Sequence, residues 1–99
     1  MEILKNLEGV KAVFVVKGNL DTVTSPSLQK ESDALNPAVS ELVFDFTDLE
    51  YISSAGLRVM LTANKRMVSV GGSMTIAHTN PSVRDVFDMT GFSDIFTMV

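Results

Sequence analysis

Two mostly apolar runs stand out along the chain, at Val10 to Val16 and at Glu41 to Phe46. Both runs are typical of buried strands, and the first, rich in valine and phenylalanine, is expected to be buried on both faces. Three weaker segments lie at the margins of this pattern. They favour an edge strand at Ile3 to Leu7, a short strand at Met74 to Ala77, and a last strand or packed tail at Phe92 to Val99.

Two helices are predicted where a capping residue is followed by proline. Ser25-Pro26 places an N-cap before a proline at the first helical position, and this helix is expected to end near Leu35, before Pro37. Asn80-Pro81 repeats the signal and opens a second such helix, which ends at Gly91. Each of these helices connects two predicted strands.

A pair of serines, Ser53 and Ser54, marks the start of a further helix, which Gly71-Gly72 ends. A serine at a strand-to-helix junction lies beside backbone N–H groups that lack partners, so its hydroxyl suits a helix cap, an anion or a phosphate. Capping is the simpler role, and one serine can cap while the other accepts phosphate. Apolar residues follow at helical spacing on one face: Leu57, Met60, Leu61 and Val68.

The order of these elements predicts an α/β fold. Two strands lead into alternating helices and strands, which implies a sheet that is mostly parallel. We expect four to five strands with three or more helices packed against them, in one domain that spans residues 1–99.

Composition narrows the classes of function. The chain of 99 residues has a net charge of −4 and no cysteine, so a nucleic-acid partner, thiol chemistry and disulfides are not expected. No signal-peptide pattern is present and the longest apolar run is too short for a bilayer, which predicts a cytoplasmic protein without direct membrane insertion. Asp45, Asp48 and Glu50 lack the spacing of a calcium loop, so no metal is expected, and without a phosphate-binding loop or a dinucleotide fingerprint no other cofactor is expected. Ser54 has no evident base, and the catalytic motifs of common enzymes are absent, so an enzyme is not expected.

Three segments together resemble the STAS domain, the fold of bacterial anti-sigma-factor antagonists. The first is Gly18 to Asp21 followed by Thr24, similar to the family's loop before its first helix. The second runs from Asp45 to Leu57 and is similar to the family's strand, loop and helix with an Asp-Ser-Ser-Gly core. The third runs from Val86 to Phe92 and is similar to the family's closing helix. Their order and spacing extend the resemblance over essentially the whole chain.

The resemblance implies a phosphorylation site at Ser54, because aligning Gly56 with the motif glycine places Ser54 on the serine that a partner kinase modifies. Ser53 then lies where the family has aspartate, and Ala55 lies where it has its second serine, which leaves Ser53 as a second possible acceptor. The resemblance also implies a surface for partner contact, which we assign to Asp21, Thr24, Ser53, Ser54, Gly56, Leu57 and Arg58.

The residues themselves leave simpler roles open for part of this surface. Asp21 is equally well a turn residue bonded to its own backbone, and Thr24 is equally well a helix cap. Gly56 permits either close helix packing or the close approach of a partner.

The resemblance implies a binding switch. The unphosphorylated protein would bind a kinase-type anti-sigma factor and release a sigma factor. That kinase would inactivate it by phosphorylating Ser54, and a serine phosphatase would restore it. Two alternatives stay open from the sequence: a STAS-like subunit of a membrane lipid-transport complex that acts as a constitutive adaptor, and a small nucleotide-binding regulatory domain.

Overall fold

The computed structural model describes residues 1–99 as a sheet with helices on one face. The strands have the spatial order β1-β2-β3-β5-β6, and β4 pairs separately with β2. Only β1 and β2 are antiparallel, and every other pairing is parallel. The strand bounds are β1 Glu2–Glu8, β2 Lys11–Leu20, β3 Glu41–Asp45, β4 Leu49–Ile52, β5 Ser73–Ala77 and β6 Thr97–Met98.

Three α-helices complete the fold: α1 Ser25–Asp33, α2 Ser54–Ser69 and α3 Pro81–Thr90, with a 3-10 turn at Phe92–Asp94. This architecture confirms the predicted α/β class. The sheet has six strands rather than the expected four to five, because Leu49–Ile52 forms the additional short strand β4. None of the helices is both long and apolar enough to cross a membrane.

The inner strands are fully buried on one face only, which corrects the prediction that β2 is buried on both faces. On β2, Ala12 and Phe14 are completely buried whereas Val13 and Val15 are half-buried. The same alternation runs along β3, where Phe44 lies beside Phe14 with ring centroids 5.6 Å apart. All three helices therefore share one core, and the opposite face of the sheet carries no helical layer.

The third predicted helix start is confirmed in detail. The Asn80 side-chain oxygen accepts a hydrogen bond from the Val83 N–H at 2.8 Å, and its amide donates to the Leu49 carbonyl at 2.9 Å. Gly91 ends α3 in the left-handed conformation with φ of 78°, a region that glycine adopts without strain. Asn80 thus caps α3 and also fixes it to β4.

The first helix begins differently from the prediction. Thr24 occupies the N-cap position, Ser25 is the first helical residue, and Pro26 is the second. The Ser25 hydroxyl caps nothing: it is buried and has no hydrogen-bond partner. The helix thus begins one residue earlier than predicted, and the Ser25 backbone N–H donates to the Asp21 carbonyl at 2.8 Å.

Candidate functional site

The predicted site lies where two parallel strands end side by side. The last residues of β2 and β4 are paired, Leu20 with Ile52, after a register irregularity at Gly18 and Asn19. The chain passes from β2 into α1 and from β4 into α2, and the Ser53 N–H donates to the Leu20 carbonyl at 2.9 Å. Because both strands are parallel, the first turns of the two helices meet at the same edge of the sheet.

The two serines at this edge have different roles. Ser53 is half-buried, and its hydroxyl oxygen accepts a long hydrogen bond of 3.4 Å from the Gly56 N–H, which makes it the N-cap of α2. Ser54 is the first helical residue and its side chain is exposed. The structure thus separates the capping hydroxyl from the accessible hydroxyl.

A closed turn spans residues 21–24 beside the serines. The Asp21 carboxylate accepts hydrogen bonds from the backbone N–H groups of Val23 and Thr24, both at 3.0 Å. In return, the Thr24 hydroxyl accepts from the Asp21 N–H at 2.9 Å and donates to the Asn19 carbonyl at 2.7 Å. The Thr24 N–H, with further help from the Thr24 hydroxyl and the Val23 N–H, holds the pKa of Asp21 below its ordinary value of 3.8. Asp21 and Thr24 therefore shape the turn.

The side chain that this turn presents to solvent is Val23, which is 84% exposed. Single exposed apolar side chains are common at protein surfaces, and Met89 is 86% exposed, so the exposure of Val23 by itself assigns it no role.

Gly56 and Leu57 are buried at the base of the site. A Cβ atom on Gly56 would lie 2.7 Å from the Ile52 Cγ1 atom and 2.9 Å from the Leu20 Cγ atom, so this glycine lets α2 approach the ends of β2 and β4. Leu57 is 4% exposed and belongs to the core. The packing role of Gly56 is therefore visible in the structure, and direct partner contact by either residue stays a prediction.

Two grooves flank the start of α2, and Arg58 lines both. The α1–α2 groove has a volume of about 310 Å³ and is lined by Thr22, Ser25, Pro26, Gln29, Ala55, Arg58, Val59 and Thr62. The α2–α3 groove has a volume of about 280 Å³ and is lined by Ser54, Leu57, Arg58, Leu61, Thr90 and Phe92. Sequence reasoning missed both grooves, because each is formed by helices far apart in the chain.

Five of the seven predicted residues thus reach the surface at this edge of the sheet. Ser54 and Arg58 are exposed, Ser53 and the turn at 21–24 lie beside them, and Gly56 and Leu57 support them from below. No three histidine, aspartate or glutamate side chains converge in a way that would hold a metal ion. What the surface offers chemically is one accessible hydroxyl at a helix start and one guanidinium next to it.

The sequence matches known proteins over almost its full length. The family model of the STAS domain matches residues 3–99. The Bordetella bronchiseptica protein BtrV, named as a candidate anti-sigma factor antagonist, is 35% identical over 85 residues, which cover 85% of this chain and 73% of BtrV. An anti-sigma F factor antagonist of Paenibacillus polymyxa is 30% identical over 99 residues, covering 96% of this chain and 85% of that protein.

Solved structures share the fold. The anti-sigma factor antagonist SpoIIAA in its unphosphorylated form superposes with a TM-score of 0.85 at 21% identity, covering 99% of this chain and 88% of that one. The phosphorylated form of SpoIIAA, described as a Bacillus cell fate determinant, gives a TM-score of 0.78 at 18% identity over 99% of this chain and 91% of that one. With the family model matched from residue 3 to residue 99, the chain belongs to the STAS domain family.

Proposed function

We propose that this protein is an anti-sigma-factor antagonist whose binding is switched by phosphorylation of Ser54. In its unmodified form it binds a kinase-type anti-sigma factor and so releases a sigma factor. The kinase modifies Ser54 and ends the interaction, and a serine phosphatase restores it. The protein acts by binding rather than by catalysis, and this role belongs to the cytoplasm.

The observation that carries the proposal is that Ser54 is exposed whereas the Ser53 hydroxyl is engaged in a helix cap. A kinase must reach the hydroxyl that it modifies, and Ser54 is exposed at the first position of α2. Ser53 is half-buried and its oxygen is engaged by the Gly56 N–H. This difference favours Ser54 as the acceptor and leaves Ser53 as second choice.

The chemistry fits a helix start. In the transfer, a bond forms between the Ser54 oxygen and the γ-phosphorus of ATP, the bond to the bridging oxygen breaks, and ADP leaves. Because Ser54 has no base of its own, the kinase takes the hydroxyl proton. The product carries a charge of about −1.5 to −2, which the helix dipole stabilises, so the fold should tolerate it. A partner packed over Ser54 would have to bury the same charge, which is costly.

The relatives support the class of partner. Two proteins that are 35% and 30% identical to this chain carry names that describe anti-sigma factor antagonists, and SpoIIAA, which shares the fold, is known in unphosphorylated and phosphorylated forms. By this likeness we propose an anti-sigma factor as partner here.

A pull-down from lysate of the source cell tests the proposal. The baits are wild type, Ser54→Asp, and Ser82→Asp as a matched control, because Ser82 is also exposed in the first turn of a helix, α3. We expect wild type and the control to retain an ATP-binding, kinase-like protein that Ser54→Asp loses. Transport subunits held equally by all three baits would overturn the switch and favour a constitutive adaptor.

The kinase-like protein recovered in the pull-down is then incubated with ATP and with wild type, Ser53→Ala or Ser54→Ala, in order to locate the serine that accepts the phosphate. We expect one added phosphate on wild type and on Ser53→Ala by intact mass, and none on Ser54→Ala. A phosphate that persists on Ser54→Ala and disappears on Ser53→Ala would assign the acceptor to Ser53.

A further inference from the structure

Arg58 is a cation without a partner at the centre of the site. It lies on α2 four residues after Ser54, and its side chain is exposed. The three salt bridges of the protein join Lys5 to Glu31, Lys17 to Asp48 and Arg84 to Asp88, so none uses Arg58. An unpaired guanidinium that borders two grooves is available to an anion from either side.

The α1–α2 groove is suited to a carboxylate. The first turns of α1 and α2 both line it, and helix starts favour negative charge. Ser25, whose buried hydroxyl has no hydrogen-bond partner, lines the same groove. Since no acidic residue is among the lining residues, the groove has a cation, and a buried unpaired hydroxyl in its wall, but no anion of its own. This charge pattern is complementary to an aspartate or glutamate side chain of a protein partner.

The α2–α3 groove offers Arg58 a second anion once Ser54 is modified. Both residues line this groove, and residues four apart on a helix have Cβ atoms about 5–6 Å apart. Arginine binds phosphate through two parallel hydrogen bonds, and a phosphate on the same helix has a high effective concentration. A phosphate on Ser54 therefore competes directly with any external carboxylate for Arg58.

We propose that Arg58 transmits the modification of Ser54 to the partner surface. In the unmodified protein Arg58 binds a carboxylate of the protein partner in the α1–α2 groove. Phosphorylation draws the guanidinium to the phosphate on its own helix and leaves that groove without its cation. The inference rests on the proposed function and extends it, since the modification then removes an attractive contact as well as adding a repulsive charge.

The phosphate half of the proposal is testable without any partner. Phosphoserine is installed at position 54 during translation, and the phosphate is titrated by ³¹P NMR in the folded protein. We expect Arg58→Gln to raise the second pKa of the phosphate by about 0.4, since one helical ion pair is worth up to about 0.5 kcal/mol. Arg58→Lys should give an intermediate value, and Lys65→Gln, on an exposed position of α2, should match wild type. Equal values for Arg58→Gln and wild type would overturn the proposal.

The carboxylate half uses the partner recovered in the pull-down. We expect unmodified Arg58→Gln to bind that partner at least tenfold more weakly, and Lys65→Gln to bind it normally. Unchanged affinity for Arg58→Gln would overturn this half. A cell that holds no kinase for Ser54 would contradict the proposed function, whereas the ³¹P titration would still decide whether Arg58 binds the phosphate.

Discussion

The Arg66 guanidinium on α2 donates a hydrogen bond of 2.6 Å to the Ser32 carbonyl in the last turn of α1. A second bond goes from the same guanidinium to the Leu35 carbonyl, just beyond the end of that helix. The last carbonyls of a helix lack partners within it and carry partial negative charge, so a cation stabilises them. Arg66 therefore fixes the spacing of α1 and α2 at the end opposite to the α1–α2 groove.

Replacement of Arg66 by alanine should destabilise the protein. Hydrogen bonds from a charged donor each contribute about 1.5–3 kcal/mol, and because Arg66 is only half-buried we expect a total loss of about 1–3 kcal/mol. Lys65→Ala is the matched control, since Lys65 is exposed and should change stability by less than about 0.5 kcal/mol. Urea denaturation measures both, and equal losses would show that the contact with α1 is not stabilising.

The division between the two serines predicts different stabilities for their variants. Ser53→Ala removes the cap of α2 and should cost about 0.5–1 kcal/mol, near the low end for caps because the bond is 3.4 Å long. Ser54→Ala and Ser54→Asp should stay within about 0.5 kcal/mol of wild type. The same denaturation experiment checks this. A larger loss for Ser54→Ala than for Ser53→Ala would reverse the assigned roles.

The contribution of Asp21 to the stability of the folded protein should depend on pH. Its pKa is lower in the folded protein than the ordinary 3.8, so its contribution to stability is complete above that value and disappears as the pH falls through the lowered pKa. We expect Asp21→Asn to be less stable than wild type at pH 7, and the gap to close in acid below pH 3.8. Thermal unfolding across this range measures the gap. A gap independent of pH would mean that the charge of Asp21 does not hold the turn.

Even the smallest side chain at position 56, the methyl group of alanine, should destabilise the protein. Alanine in a helix is ordinarily more stable than glycine by about 0.5–1 kcal/mol, but here the added Cβ would lie 2.7 Å from the Ile52 side chain. We expect Gly56→Ala to be destabilising by about 1–3 kcal/mol and Gly56→Val to be worse. If Gly56→Ala instead stabilised the protein, the close approach of α2 to β4 would be wrong.

Much of the fold follows from local signals. The sequence predicts three helix ends correctly: the start of α3 at Asn80-Pro81, its end at Gly91, and the start of α2 at the serine pair. Caps and prolines act within a few residues of the helix end that they define, so a local pattern is sufficient. The short strand β4 was missed for the opposite reason. Its four residues carry two buried side chains, Leu49 and Ile52, and it is a strand only because β2 extends to meet it.

The site was predictable in its residues more than in its geometry. A serine pair at a helix start is visible in the sequence, whereas which serine is exposed depends on the turn at which α2 begins. The unpartnered hydroxyl of Ser25 and the exposure of Val23 depend on the closed turn at 21–24. The grooves on either side of Arg58 depend on helix contacts that no local pattern encodes.

The closed turn at 21–24 also bears on how fast partners exchange. Holding one residue in a single backbone conformation costs about 1–2 kcal/mol of entropy, and a disordered loop would lose that entropy on each encounter. Here Asp21 and Thr24 order the turn during folding, so Val23 is displayed before any partner arrives. At the partner surface proposed above, association would then need no rearrangement of the turn, which favours a fast association rate.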